Sequence, residues 1–187
     1  QSPKAQYCLT KGQEQVSPRD ALCLVDKYGG KVDSQQHALP RIPVDDNKVL
    51  ALGYSTENGS RDLYVGFTQR KGNKLILSMY SDPHSDGKDI NYISSEFTLG
   101  VGDKILENKT YSVEGNQATF VRLSSTGKAT HEPVQTTLTP REKEKITKDY
   151  HRLLQDASSF AQLEDHVGQM NDQMEETLEV INEALPK

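Results

Sequence analysis

Between Lys48 and Phe67 apolar residues alternate with polar or small ones, at Leu50, Leu52 and Tyr54 and then at Leu63, Val65 and Phe67. Period two places every second side chain on one face of a strand, and Asn58-Gly59 between the runs has the chemistry of a two-residue hairpin turn. Pairing across that turn sets Tyr54 opposite Leu63, Leu52 opposite Val65 and Leu50 opposite Phe67. A slip of one residue would send all six to the wrong side, so turn and pattern specify the same register. A further strand follows at Lys74 to Tyr80, after Lys71-Gly72-Asn73. Others are expected at Tyr92 to Leu99, Ile105 to Val113, Gln117 to Leu123 and Thr130 to Leu138, separated by Glu114-Gly115-Asn116 and Thr126-Gly127. About seven short strands joined by tight turns describe an antiparallel meander, closed as a barrel or folded as a sandwich.

Helical periodicity brackets this sheet. Ser17-Pro18-Arg19-Asp20 supplies a capping hydroxyl, proline in the first turn and an early acid. Ala21, Leu22, Val25 and Tyr28 follow at helical spacing, and Gly29-Gly30 stops the run. Lys31 to Asp46, with Pro40 and Pro43, has no period and reads as a connecting loop. Thr139-Pro140-Arg141-Glu142 opens the tail as a capping box. Apolar residues then recur every three or four positions: Ile146, Tyr150, Leu153, Ala157, Phe160, Leu163, Val167, Met170, Met174, Leu178, Ile181 and Leu185.

Cations crowd the first half of this tail (Arg141, Lys143, Lys145, Lys148, Arg152) and acids the second (Asp172, Glu175, Glu176, Glu179, Glu183). On one straight helix that order opposes the macrodipole. Folded back at Ser158-Ser159, with Ser159 and Gln162 as a second capping box, the halves would neutralise each other. The favoured expectation is a hairpin of Pro140 to Asp156 and Phe160 to Leu185; one continuous helix is the alternative. The fold class is therefore α+β. A segment 1–47 carries a short helix, a β domain spans 48–139, and an amphipathic helical tail spans 140–187. The order of meander then helix is similar in outline to the lipocalin plan, but a chain without tryptophan has no Gly-x-Trp, so no residue role carries over.

Composition places the tail outside the main core. Hydrophobic residues are only 34% of the 187, less than a compact domain of this length usually buries. The net charge of -5, with both signs mixed through most of the chain, offers no basic stripe for phosphates, so nucleic acid is not an expected partner. No apolar window is long enough to span a bilayer. Gln1-Ser2-Pro3 reads as a mature end left by removal of a signal peptide. Cys8 and Cys23, the only cysteines, suit a disulfide in an exported protein, secreted or periplasmic. The bridge would pin the short helix. Asn58 and Asn108 begin Asn-x-Ser/Thr triplets and are candidate glycosylation sites in a eukaryotic secretory route.

Candidate chemistry is sparse. Asp82-Pro83-His84-Ser85-Asp86-Gly87 resembles the start of a calcium loop, but His84 stands where an oxygen ligand belongs and Ile93 where the closing acid belongs, so a polar turn-rich loop is the better reading. His37, His84, His131, His151 and His166 lack metal-ligand spacing, and no nucleophile elbow or phosphate loop occurs. No metal or cofactor is expected. Tyr54, Tyr64, Tyr80 and Tyr92 fall in strand candidates and could line a ligand cavity or contact surface, since tyrosine joins apolar area to a hydroxyl.

The chain is thus expected to be an exported, non-catalytic binding protein that engages a protein or a small apolar ligand through its β domain. The alternative is an assembly or adaptor protein that associates, with itself or a partner, through a C-terminal coiled coil. Ile146, Leu153, Phe160, Val167, Met174 and Ile181 would fill one heptad core position, and Tyr150, Ala157, Glu164, Asn171, Leu178 and Leu185 the other. A hydrolase is the third and least supported reading.

Overall fold

Seven strands in unbroken sequence order form the body of the protein: β3 (Lys48–Ser55), β4 (Asp62–Lys71), β5 (Lys74–Asp82), β6 (Asn91–Leu99), β7 (Ile105–Glu114), β8 (Gln117–Ser124) and β9 (Val134–Thr137). The computed structural model describes residues 8, 16–31, 41–45, 47–56 and 61–184. Each of the seven strands pairs antiparallel with the next. The expected register holds: Tyr54 lies opposite Leu63, Leu52 opposite Val65 and Leu50 opposite Phe67. The Asn58-Gly59 turn itself lies outside the described residues. Gly72 and Gly115 open two-residue turns at φ +59, a conformation that glycine adopts without steric cost.

Two short strands add to the free edge of β3. β1 (Gly30–Lys31) pairs in parallel with Gly53 and Tyr54, and β2 (Arg41–Asp45) runs antiparallel against Ala51 to Lys48. The expectation of a structureless connection from Lys31 to Asp46 is therefore corrected. Pro43 has no N–H to give a ladder, but an edge strand tolerates that, and the register breaks between Pro43 and Asp45.

The sheet is open. Among the described residues all strands belong to one sheet, ordered β1-β3-β4-β5-β6-β7-β8-β9 with β2 also on β3, and β9 pairs back to none of the first three. Among the described residues neither a closed barrel nor a sandwich of two sheets is formed; helices cover one face instead. α1 (Pro18–Tyr28) starts with a reciprocal cap, Asp20 N–H donating to Ser17 Oγ and Ser17 N–H to the Asp20 carboxylate. Cys8 is disulfide-linked to Cys23 on this helix.

α2 is one helix, Pro140–Ala184, and this corrects the expected hairpin. Thr139 and Glu142 form the expected capping box at its start. Helix then continues through Ser158 and Ser159, where a break was expected. The reason is packing. Ser158 is 2% exposed and Ala157 fully buried, so this turn of helix is fixed against the core rather than free to reverse. One core draws on all three segments of the chain: Val16, Ala21, Leu24 and Val25; Leu50, Leu52, Leu63, Val65 and Tyr80; Ile146, Tyr150, Leu153, Leu154 and Ala157.

Ser158 Oγ is buried without a hydrogen-bond partner. A buried hydroxyl left unpaired is costly, and alanine is the best helix former. Ser158→Ala should therefore raise stability by about 1 kcal/mol in chemical denaturation. A loss of stability would show that a serine-dependent turn exists there after all.

Candidate functional site

Asp82, the last residue of β5, is the most fully enclosed charged side chain described, with no exposed surface. Its carboxylate accepts hydrogen bonds from the backbone N–H of Gly87 at 2.9 Å and of Asp86 at 3.3 Å, and from the Tyr150 hydroxyl at 3.3 Å. The acid read in sequence as a possible calcium ligand thus turns its oxygens to N–H and O–H donors and holds the 83–90 loop closed. The loop in turn holds α2: His151 Nε2 lies 3.2 Å from Gly87 O, and Lys143 Nζ donates to Ile90 O at 3.3 Å. Gly87 has φ +74, a conformation that favours glycine, and a Cβ there would stand 3.1 Å from the His151 ring, so helix and loop approach closely.

Tyr150 begins a row of rings across the sheet face that α2 covers. Tyr150 and Tyr80 centroids are 6.5 Å apart, Tyr80 and Tyr92 4.5 Å, Tyr92 and Tyr111 6.1 Å, and Tyr111 and Phe120 4.6 Å. The row starts buried and ends in water, where Phe120 is 52% exposed and neighbouring Val134 56%. Of the four tyrosines singled out from sequence, Tyr80 and Tyr92 belong to this row. Tyr54 shares their face but lies under the Arg61 guanidinium, 4.0 Å from its ring centroid. Tyr64 pairs with Gly53 and Ser81 and so faces the other way. The four do not line one cavity. Sequence reasoning missed Tyr111, Phe120 and Tyr150; strand parity was enough to place the first two beside Tyr92, and the tail's own apolar stripe pointed to the third.

The concavities are open ones. A cleft of about 690 Å³ lies between the start of α1, the 86–88 loop and α2, and its charges nearly cancel: Lys88, Lys148 and Arg152 against Asp86 and Glu144. Lys148 is already paired with Glu144 at 3.1 Å. On the uncovered sheet face, hollows of about 340 and 230 Å³ adjoin at Met79 and Ile93, the second bordered by Tyr64. Among the described residues no group of three or more His, Cys, Asp or Glu is placed to hold a metal ion, and no helix is long and apolar enough to cross a membrane. Asn108 sits inside β7 and accepts from the Thr110 hydroxyl at 2.7 Å; Asn58 lies outside the described residues.

The remaining unusual surface is the distal part of α2. Ile146, Tyr150, Leu153 and Ala157 are all buried, whereas Met174, Leu178 and Ile181 on the same stripe are 62%, 55% and 49% exposed.

Burial is the largest influence on Asp82 and pushes its carboxyl above the usual range, while the two amides and the Tyr150 hydroxyl pull part of the way back. Burial and the adjacent Asp82 hold the Tyr150 proton well above the ordinary tyrosine range, so the phenol remains a donor. Folding therefore tightens proton binding at Asp82. The stability this group contributes is full below the unfolded carboxyl value of about 3.9 and is lost as pH rises through the raised folded value. Asp82→Asn removes that titration. The stability difference, wild type minus variant, should shrink as pH rises from about 4 across the raised value, in urea denaturation at a series of pH values. A difference that grows with pH would mean that the ionised carboxylate is the favoured form.

No protein-family model, no curated protein and no solved structure matches this chain.

Proposed function

We propose that this chain is a non-catalytic assembly protein, a β-sheet head joined to further copies through the distal half of α2. The observation that carries this reading is the change along one helix stripe from buried to exposed, at an unbroken helix. Ala157 is buried while Met174, Leu178 and Ile181 are exposed, and the apolar spacing in the sequence runs on to Leu185. An amphipathic stripe of that length has a use only if something lies along it. The Cys8–Cys23 bridge fits an oxidising compartment, extracellular or periplasmic, and supports export.

Static light scattering across a concentration series should give a mass that is a multiple of 20.9 kDa. Combining Leu178→Asp with Ile181→Asp should return it to a monomer with the thermal midpoint of the head unchanged, since both side chains are exposed in the single chain. A wild-type monomer at every concentration would reject the assembly reading.

A second reading, engagement of a protein partner by the β domain, is favoured by the exposed end of the aromatic row at Phe120, with Val134 beside it. Aromatic residues concentrate in protein interfaces, and this end flanks the free edge of β9. Phe120→Lys should leave folding intact and abolish chemical cross-links from β7–β9 to a partner in material from the native source. Unchanged cross-links would remove this surface from consideration.

A further inference from the structure

Resting on the assembly reading, we infer that the distal α2 stripe docks on the uncovered sheet face of a second copy, helix on sheet, so that chains join head to tail. The sheet face supplies the first argument. Two neighbouring cross-strand rows run along it, one residue per strand from β3 to β8, and neither contains a charged residue. Their apolar members are Val49, Ala51, Leu77, Met79, Ile93 and Val121, and the rest are Ser, Thr and Gly66. Leu77 and Ile93 are exposed. The other face differs where it emerges from beneath the helices: its outer row carries Glu96, Lys109 and Arg122. A sheet face that meets water normally takes charge in this way, and an uncharged, partly apolar one marks a contact surface.

The helix supplies the second argument. Over residues 173–184 its acids, Glu175, Glu176, Glu179 and Glu183, fall within a sector of about 100° at 3.6 residues per turn. The rest of the circumference is uncharged and holds Met174, Leu178, Val180 and Ile181, all exposed. A coiled-coil seam would use the other three and leave Val180 out, whereas a flat sheet is broad enough to reach it as well. The segment rises about 18 Å, and six strands span about 24 Å between the first and last axes, so helix and rows match in size. Where Gly66 interrupts its row, the face sinks into a hollow of about 340 Å³ between Val49, Ala51, Leu77 and Met79, room for apolar side chains of the helix.

The two surfaces cannot meet within one chain. α2 is unbroken from Pro140 to Ala184, and Ile146, Tyr150, Leu153 and Ala157 fix its first half on the opposite face. Only another copy brings stripe and face together. Charge favours the sheet over a second distal helix, because two such helices would each bring four glutamates and no cation over residues 173–184. The sheet rows hold no acid. At their margin, where β4 turns into β5 and β6 into β7, Arg70, Lys71 and Lys104 outnumber Asp103, a balance that suits the glutamate flank of the helix. The contact is heterologous, so it propagates into a ring or a chain of copies.

Mixing separates this contact from a symmetric one. Leu77→Lys with Ile93→Lys disables the face, and Leu178→Asp with Ile181→Asp disables the helix; all four side chains are exposed in the single chain. Each protein alone should be a monomer in light scattering. Mixed in equal amounts they should form a species of twice the chain mass, through the intact helix of one and the intact face of the other. Unchanged self-association of the face variant would overturn the inference, and so would a mixture that stays monomeric. Single cysteines test the contact without adding charge, because both native cysteines are bridged. A short bismaleimide should join Ile93→Cys to Leu178→Cys in a mixture of the two proteins. Links between two Leu178→Cys copies instead would show helices side by side and overturn the inference. A wild-type monomer would overturn the assembly reading on which it rests.

Discussion

Tyr150 makes the contact on which the rest of the architecture depends. It is 1% exposed, its ring packs toward Tyr80 in the middle of the sheet, and its hydroxyl reaches Asp82 at the end of β5. One side chain thus joins the helix to the sheet's apolar face and to its most buried charge. An open sheet with a single apolar face needs such a cover, because closure is not available to shield that face. Asp82 is tolerated in the interior only because three donors converge on it, and one of the three comes from the covering helix. Helix, loop and strand end are therefore one cooperative unit.

The same contact explains why α2 does not turn back on itself. Neutralising the cations of its first half with the acids of its second would gain exposed ion pairs, each worth at most about 1 kcal/mol. Reversal at Ser158 would expose or rearrange Leu153, Leu154 and Ala157, all buried, and a fully buried leucine contributes roughly 1.5–3 kcal/mol. Packing outweighs surface charge. The cations of the first half are met in part locally instead, by Lys145–Asp149 and Lys148–Glu144 along the same helix.

Much of the sheet was legible in the sequence because period two and turn chemistry are local. Leu50 to Phe67 were placed in register across a turn that was itself read only from Asn58-Gly59. The same parity, carried one step further, puts Tyr64 opposite Gly53 and hence on the other face from Tyr54, so the alternation alone already separates the four tyrosines. β2 was not legible: an edge strand interrupted by Pro43 has neither the length nor the ladder chemistry that marks a strand. Asp82 and Tyr150 lie 68 residues apart, and no local pattern brings a strand-end acid to a helix tyrosine. Openness of the sheet was likewise invisible, since closure depends on tilt and stagger rather than on any residue.

What remains is the physical status of the distal helix. A helix without tertiary packing is weakly held in water, because nucleation is costly and each propagation step gains little. Here nucleation is already done: the first half is fixed on the sheet, and the second extends an existing helix. Its electrostatics nevertheless work against it, with Glu175, Glu176, Glu179 and Glu183 at the negative end of the dipole and no basic residue in its last turn. Selection for solubility alone would account for the acids but not for Met174, Leu178 and Ile181 keeping the heptad spacing between them. A sequence that keeps an apolar stripe in phase while loading the opposite face with like charge describes a surface that is wet on one side and covered on the other. In the single chain both sides are wet at Met174, Leu178 and Ile181, and the proposed assembly would remove that conflict by laying a second copy on the stripe.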